Sequence, residues 1–163
     1  MEIVKNNTRS LCQIGIVAAL YVALTLAIHP IAYGQVQLRI SEVLVLLCFF
    51  NKKYGWGIVI GCFIANIFSP FPLLDMIFGT LHSLVSVLLI FKCKKLWVAG
   101  IMPVLPCFLI GFAIMLAYNL SWTAMIIITG WIMLGQFITV VGVGVPLFYW
   151  LSKNSKFMSI ITS

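Results

Sequence analysis

Residues 73–91 read LLDMIFGTLHSLVSVLLIF, with one charged side chain in the whole stretch. A bilayer hydrocarbon core about 30 Å thick is crossed by roughly 20 residues of α-helix. The run therefore predicts a membrane-spanning helix. Asp75, Phe78, Gly79 and His82 within it recur at i, i+3, i+4 and i+7, which places them on one helical stripe. One sequence segment thus carries both a span and a polar line along it.

The flanking sequence repeats the pattern. Apolar runs at Leu11–Ile28, Ile40–Phe50, Tyr54–Ser69, Leu73–Phe91, Leu96–Tyr118 and Ala124–Leu151 give six candidate spans. The second is too short to cross alone unless the membrane thins or its ends lie in a wet cavity. Only Asn119–Thr123 separates the fifth from the sixth, so a five-span reading stays open. Composition agrees with the class: of 163 residues, 63% are hydrophobic and 8% charged. Soluble proteins carry about 25% charged residues to hydrate their surface. The N-terminal apolar run has no small-residue cleavage site and more spans follow it, so it reads as a retained first helix.

Ten Lys/Arg oppose three acids, for a net charge of +7. Alternating ends put Lys5, Arg9, Lys52, Lys53, Lys92, Lys94, Lys95, Lys153 and Lys156 on one side and Arg39 on the other. Cytoplasmic loops carry the excess of Lys and Arg, which predicts both termini inside and favours six spans over five. The basic residues lie in small groups between apolar runs, not on one nucleic-acid-binding surface. The expected fold is an all-α integral membrane protein in the cell membrane, a single domain over residues 1–163 built as a six-helix bundle.

Chemistry is confined to few side chains. Glu2 sits at the cytoplasmic tip, whereas Glu42 and Asp75 lie at the outer ends of spans two and four. An ionisable group at membrane depth marks a functional site by default. The competing reading is local, since an acid in a helix's first turn is favoured by the helix dipole. Before Glu42, Gln35, Gln37 and Arg39 alternate with Val36, Leu38 and Ile40. That period of two predicts a short extended segment, beginning near Tyr33. Exposed strands cannot face lipid, so it is placed over an outward-facing cavity with its polar face inward.

Asn66, Asn119 and Trp122 fall at the same outer end. Trp122 reads either as an interface anchor or as a ligand contact, and His82 either as a proton carrier or as a packing residue. Two carboxylates, a guanidinium, amides and aromatic faces suit a flat solute with a cationic or N–H-rich edge. Gly15, Ala19, Ala23 and Ala27 recur every four residues, with Gly57 and Gly61 spaced alike on span three. Such small-residue stripes let helices approach closely, within the bundle or against a partner. The five cysteines form no CxxC pair, and no HExxH, GxSxG or phosphate-loop motif occurs. No enzyme, metal or cofactor is implied.

The segments QVQLRISE (35–42), GCFIANIFSP (61–70) and DMIFGT (75–80) resemble the QueT family of queuosine-precursor transporters. These are substrate-binding (S) components of energy-coupling factor transporters. The likeness covers most of the chain, and its specific part runs from Arg39 to Thr80. It implies a six-helix S component that captures a deazaguanine such as 7-aminomethyl-7-deazaguanine outside the cell. It also implies a transmembrane coupling subunit and two ATPases as partners, with docking through a motif similar to Ala19-x-x-x-Ala23. A self-sufficient carrier, proton-coupled through Asp75 and His82, is the alternative. On the leading reading, the solute residues are Glu42, Asp75, Arg39, Gln37, Asn66, Phe78, His82, Tyr33, Asn119 and Trp122, and the docking residues are Gly15, Ala19 and Ala23.

Overall fold

A computed structural model describes residues 2–32 and 38–162. Among the described residues there are helices and no strands. Helix α1 spans Glu2–Ala27, followed by a short turn of helix α2, His29–Ala32. Helix α3 (Ile40–Phe50) begins as a 3-10 helix over Ile40–Leu46 and ends with one α-turn, Leu47–Phe50. Helices α4 (Tyr54–Asn66) and α5 (Pro72–Ile90) follow, then α6 (Leu96–Tyr118), α7 (Trp122–Leu151) and α8 (Ser155–Thr162). Four of these, α1 (over Thr8–Ala27), α5, α6 and α7, are long and apolar enough to cross a membrane, while α3 and α4 are shorter apolar helices.

Local chemistry accounts for the boundaries. Pro72 opens α5 at a position whose N–H has no helical partner in any case. Pro103 and Pro106 remove donors inside α6, and the helix tightens to a 3-10 segment over Met102–Cys107. Asn119 ends α6 in the left-handed region at φ 51°, a conformation that Asn tolerates better than most residues. Ser121 caps α7, its hydroxyl accepting from Ala124 N at 3.3 Å. Within α7 the residues Phe137–Gly144 wind as a π-helix. Helix α8, which the sequence reading did not anticipate, is capped by the Asn154 side chain accepting from Lys156 N and Phe157 N.

The short helix α3 is the centre of the bundle. It touches α1, α4, α5, α6 and α7, and Val45 and Leu46 on it have no exposed surface. Its length is therefore no obstacle, because protein rather than lipid surrounds its backbone. Helix α1 packs on α4 through Gly57 and Gly61. A Cβ at Gly57 would stand 2.8 Å from Ile14 O, and one at Gly61 2.9 Å from Ala18 O. This small-residue pair is thus used inside the bundle, where only glycine permits that approach. Large apolar side chains face outward, including Leu11, Trp56, Leu73 and Ile126, while Thr25, Arg39, Glu42, Asn66, Asp75, His82 and Gln136 are buried. Such an inside-out distribution suits lipid as the surrounding solvent.

The basic loops meet at one end. Lys52 Nζ lies 5.6 Å from the centre of the Phe91 ring, beside the Lys92–Lys95 loop. Lys53 Nζ donates to Gln13 Oε1 at 2.6 Å, and Gln13 Nε2 donates to Ile160 O on α8 at 3.1 Å. Partial desolvation, then the Arg9 charge, push the Lys53 ammonium below its usual range. The N-terminal end of α3 and α5 and the C-terminal end of α4, where Arg39, Glu42, Asp75 and Asn66 sit, form the opposite end.

Candidate functional site

Glu42 lies in the first turn of α3 and is 2% exposed. Its carboxylate accepts the Tyr21 hydroxyl from α1 on Oε1, and Gln136 Nε2 from α7 on Oε2 at 3.2 Å. One turn further along α1, Thr25 Oγ1 and Ser41 Oγ share a hydrogen bond of 2.7 Å, and Thr25 also donates to Tyr21 O. Burying a carboxylate demands such partners, because the charge would otherwise lose its hydration without replacement. Arg39 is buried as well; its backbone is extended, and Nε donates to Ala32 O at 3.3 Å.

Asp75 occupies the first turn of α5, within electrostatic reach of Arg39. Asn66, fully buried at the end of α4, donates from Nδ2 to Asp75 O at 2.9 Å and to Cys62 Sγ at 3.3 Å. Gly79 makes this possible, since a Cβ there would collide with Asn66 Nδ2. The stripe residue thus serves as a gap that admits the amide. Asn66 Oδ1 and Ser69 Oγ are buried without a hydrogen-bond partner. Ser69 Oγ lies beside the Asp75 carboxylate but outside hydrogen-bond geometry, so the two are adjacent, not bonded.

Deeper along α5, His82 is 2% exposed and its Nε2 lies 3.0 Å from Pro103 O. A carbonyl only accepts, so Nε2 carries the proton. Cys107 Sγ stands 3.7 Å from the same nitrogen. Phe78, half-buried, meets Phe112 edge-on at 5.6 Å, and Phe112 lies 6.3 Å from Trp122, giving an aromatic row between α5, α6 and α7. Beside this polar centre is a separate cleft of about 310 Å³, lined by Ile28, Leu38, Ile40, Val43, Ile138 and Val143 with Thr139. Among the described residues this lining is almost wholly hydrocarbon, and the Thr139 hydroxyl already donates to Gly135 O.

A family model described as the QueT transporter matches residues 11–153. The chain belongs to the QueT transporter family. It is a transporter-family protein rather than an enzyme, and a multi-pass membrane protein. It is 47% identical over 83 residues to the queuosine precursor transporter QueT of Lactococcus lactis subsp. cremoris (strain MG1363). That alignment takes in 50% of this chain and 48% of the relative, so it spans about half the length of each. No solved structure matches.

Within this QueT-family bundle, five of the expected solute residues, Arg39, Glu42, Asn66, Asp75 and His82, are buried between the helices. Phe78 borders them through its aromatic row. Trp122 is 67% exposed at the start of α7, and Asn119 is an exposed helix-ending residue. Tyr33 and Gln37, with most of the expected extended segment, lie outside the described residues. Arg39 is extended, and helix begins one residue later at Ile40.

Gly15, Ala19 and Ala23 face outward on α1, and among the described residues no atom beyond the local helix lies within 4 Å of a Cβ built at Gly15. Tyr21 and Gln136 were not anticipated from sequence. Tyr21 sits two residues from both Ala19 and Ala23, hence on the opposite face of α1. Gln136 is a lone amide in a long apolar run, a signal of the same kind as Asp75.

Proposed function

We propose that this chain is the substrate-capture (S) subunit of an energy-coupling factor importer, binding a queuosine precursor of the deazaguanine type on the outer side of the membrane. The observation that carries the reading is the buried centre of two carboxylates, one guanidinium and an asparagine in a QueT-family chain. A guanine-type ring presents adjacent N–H donors, and an aminomethyl group adds a cation; carboxylates accept both. The queuosine precursor named for the Lactococcus lactis relative supports the same solute class.

Four long and two shorter apolar helices support six spans within a single domain. The basic loops at the end opposite the acids support termini on the cytoplasmic side and a solute site facing out. Energy comes from other subunits: a transmembrane coupling protein and two ATPases. The outward stripe of Gly15, Ala19 and Ala23 supports docking of the coupling subunit on α1, because the bundle's own packing does not use that face. His82 bonded to Pro103 favours a packing role over the proton relay that a self-sufficient carrier would need.

The test is thermal unfolding of the purified chain with 7-aminomethyl-7-deazaguanine, with guanine and thiamine as controls. A ligand at 100 times its Kd stabilises the folded state by about 2.7 kcal/mol. A shift selective for the deazaguanine is the expected result. No shift in a folded sample removes the solute assignment, and uptake by the chain alone under a pH gradient replaces the reading with the carrier.

A further inference from the structure

The two acids at the outer end have unequal surroundings. Both oxygens of Glu42 already receive protein donors, Tyr21 from α1 and Gln136 from α7. Asp75 has no such hold. Among the described residues no hydrogen bond reaches its carboxylate in good geometry, although Ser69 Oγ lies beside it and Arg39 acts on it through its charge. Next to Asp75, Asn66 Oδ1 is fully buried and has no donor. The amide cannot be turned to cure this. Its Nδ2 faces Asp75 O, which only accepts, so Oδ1 must be the unpartnered end. Among the described residues, then, the Asp75 carboxylate lacks a donor in good geometry, and the Asn66 amide that is bonded to the Asp75 main chain keeps an unpartnered Oδ1, an arrangement that costs free energy until a donor arrives.

We infer that the two acids divide the work: Glu42 is a strut clamped by Tyr21 and Gln136, and Asp75 with Asn66 Oδ1 is the acceptor pair that takes the N–H-rich or cationic edge of the solute. Tyr21 and Gln136 are positioning residues, acting on the site through Glu42. The inference rests on the solute-capture reading and deepens it. It also explains why α1 carries a tyrosine on the face turned away from Ala19 and Ala23.

Two measurements on the full chain test the two halves separately. Without ligand, thermal unfolding of Tyr21→Phe, Glu42→Gln and the double variant reports whether the residues act as a unit. The clamp predicts that the second substitution adds little to the first; additive losses overturn it. With 7-aminomethyl-7-deazaguanine as probe, Asp75→Asn is expected to weaken binding by ~10- to 100-fold, the range of a hydrogen bond to a charged group. Asp75→Glu, which keeps the acceptor, retains most of the affinity and guards against misfolding of the amide variant. Tyr21→Phe should weaken binding less than Asp75→Asn, and the two effects should multiply. Glu42→Gln costing more affinity than Asp75→Asn, or Asp75→Asn binding like wild type, overturns the assignment of Asp75. Absence of probe binding by the wild-type chain sinks the solute reading and that assignment together, while the unfolding cycle still decides the clamp.

Discussion

Gly61→Ala is the substitution whose cost can be worked most directly from the geometry. The added Cβ would lie 2.8 Å from Tyr21 Cβ, 2.9 Å from Ala18 O and 3.1 Å from Ala18 Cα. Favourable carbon contacts lie near 3.5–4.0 Å, so α1 and α4 must separate by about 0.5–1 Å. Two of the three obstructing atoms belong to the Ala18 residue's backbone, and the third is the root of a side chain. None can swing aside as a flexible tip would. Overpacking of this kind costs ~1–3 kcal/mol. The shift also drags Tyr21 away from Glu42, and a hydrogen bond to a charged group is worth ~1.5–3 kcal/mol, of which a strained bond loses a part. Against this, alanine improves helix propensity over glycine by at most ~1 kcal/mol.

The net expectation is a loss of about 1–3 kcal/mol, with weakened solute binding because Glu42 loses its fixed position. The assay is reversible unfolding in detergent micelles, with Gly15→Ala as the matched control. Among the described residues nothing beyond the local helix lies within 4 Å of a Cβ at Gly15, so that variant should be neutral or slightly stabilised. If Gly61→Ala proves as stable as Gly15→Ala, the close α1–α4 contact is not the one described and the reasoning fails.

Changing Ala19 or Ala23 to Leu places bulk on the outward face of α1, so deazaguanine binding should survive while co-purification with the coupling subunit and uptake are lost; intact complexes would refute the docking role. His82→Ala removes the donor to Pro103 O inside the bundle and should lower stability by ~1–3 kcal/mol. If His82 is a packing residue, solute selectivity stays unchanged, whereas a proton relay predicts abolished pH-driven uptake with stability intact.

Much of the fold was legible in the chain because lipid as a solvent imposes a length and a polarity on each span. The fifth apolar run, Leu96–Tyr118, coincides with the observed helix, and α5 begins within a residue of its expected start. Inside the spans, local rules account for the proline-tightened segment of α6 but not for two other departures. The 3-10 winding of Ile40–Leu46 and the π-helix of Phe137–Gly144 arise where the central helix packs against α7, a contact between residues about a hundred positions apart. Helix α8 was missed because its eight residues are too few and too polar to read as a span; its apolar face is revealed by Phe157, Met158 and Ile161 packing on the core.

The acids, the arginine and the asparagine stood out in sequence because a polar group in an apolar run must have a reason. Which of them meet was beyond it. Gly57 and Gly61 on α4 and Gly15, Ala19 and Ala23 on α1 obey the same spacing, yet the first pair is closed against α1 and the second set faces outward. Spacing specifies which residues share a helix face; only the packing of helices determines whether that face meets another chain segment or stays open. For the same reason the sequence by itself determined that Glu42 and Asp75 lie near the N-terminal ends of their helices. The tertiary structure decided that Tyr21 and Gln136 converge on Glu42 while no comparable pair of described side chains converges on Asp75, because the partners of a buried charge come from wherever the fold brings donors within 3 Å or so of it.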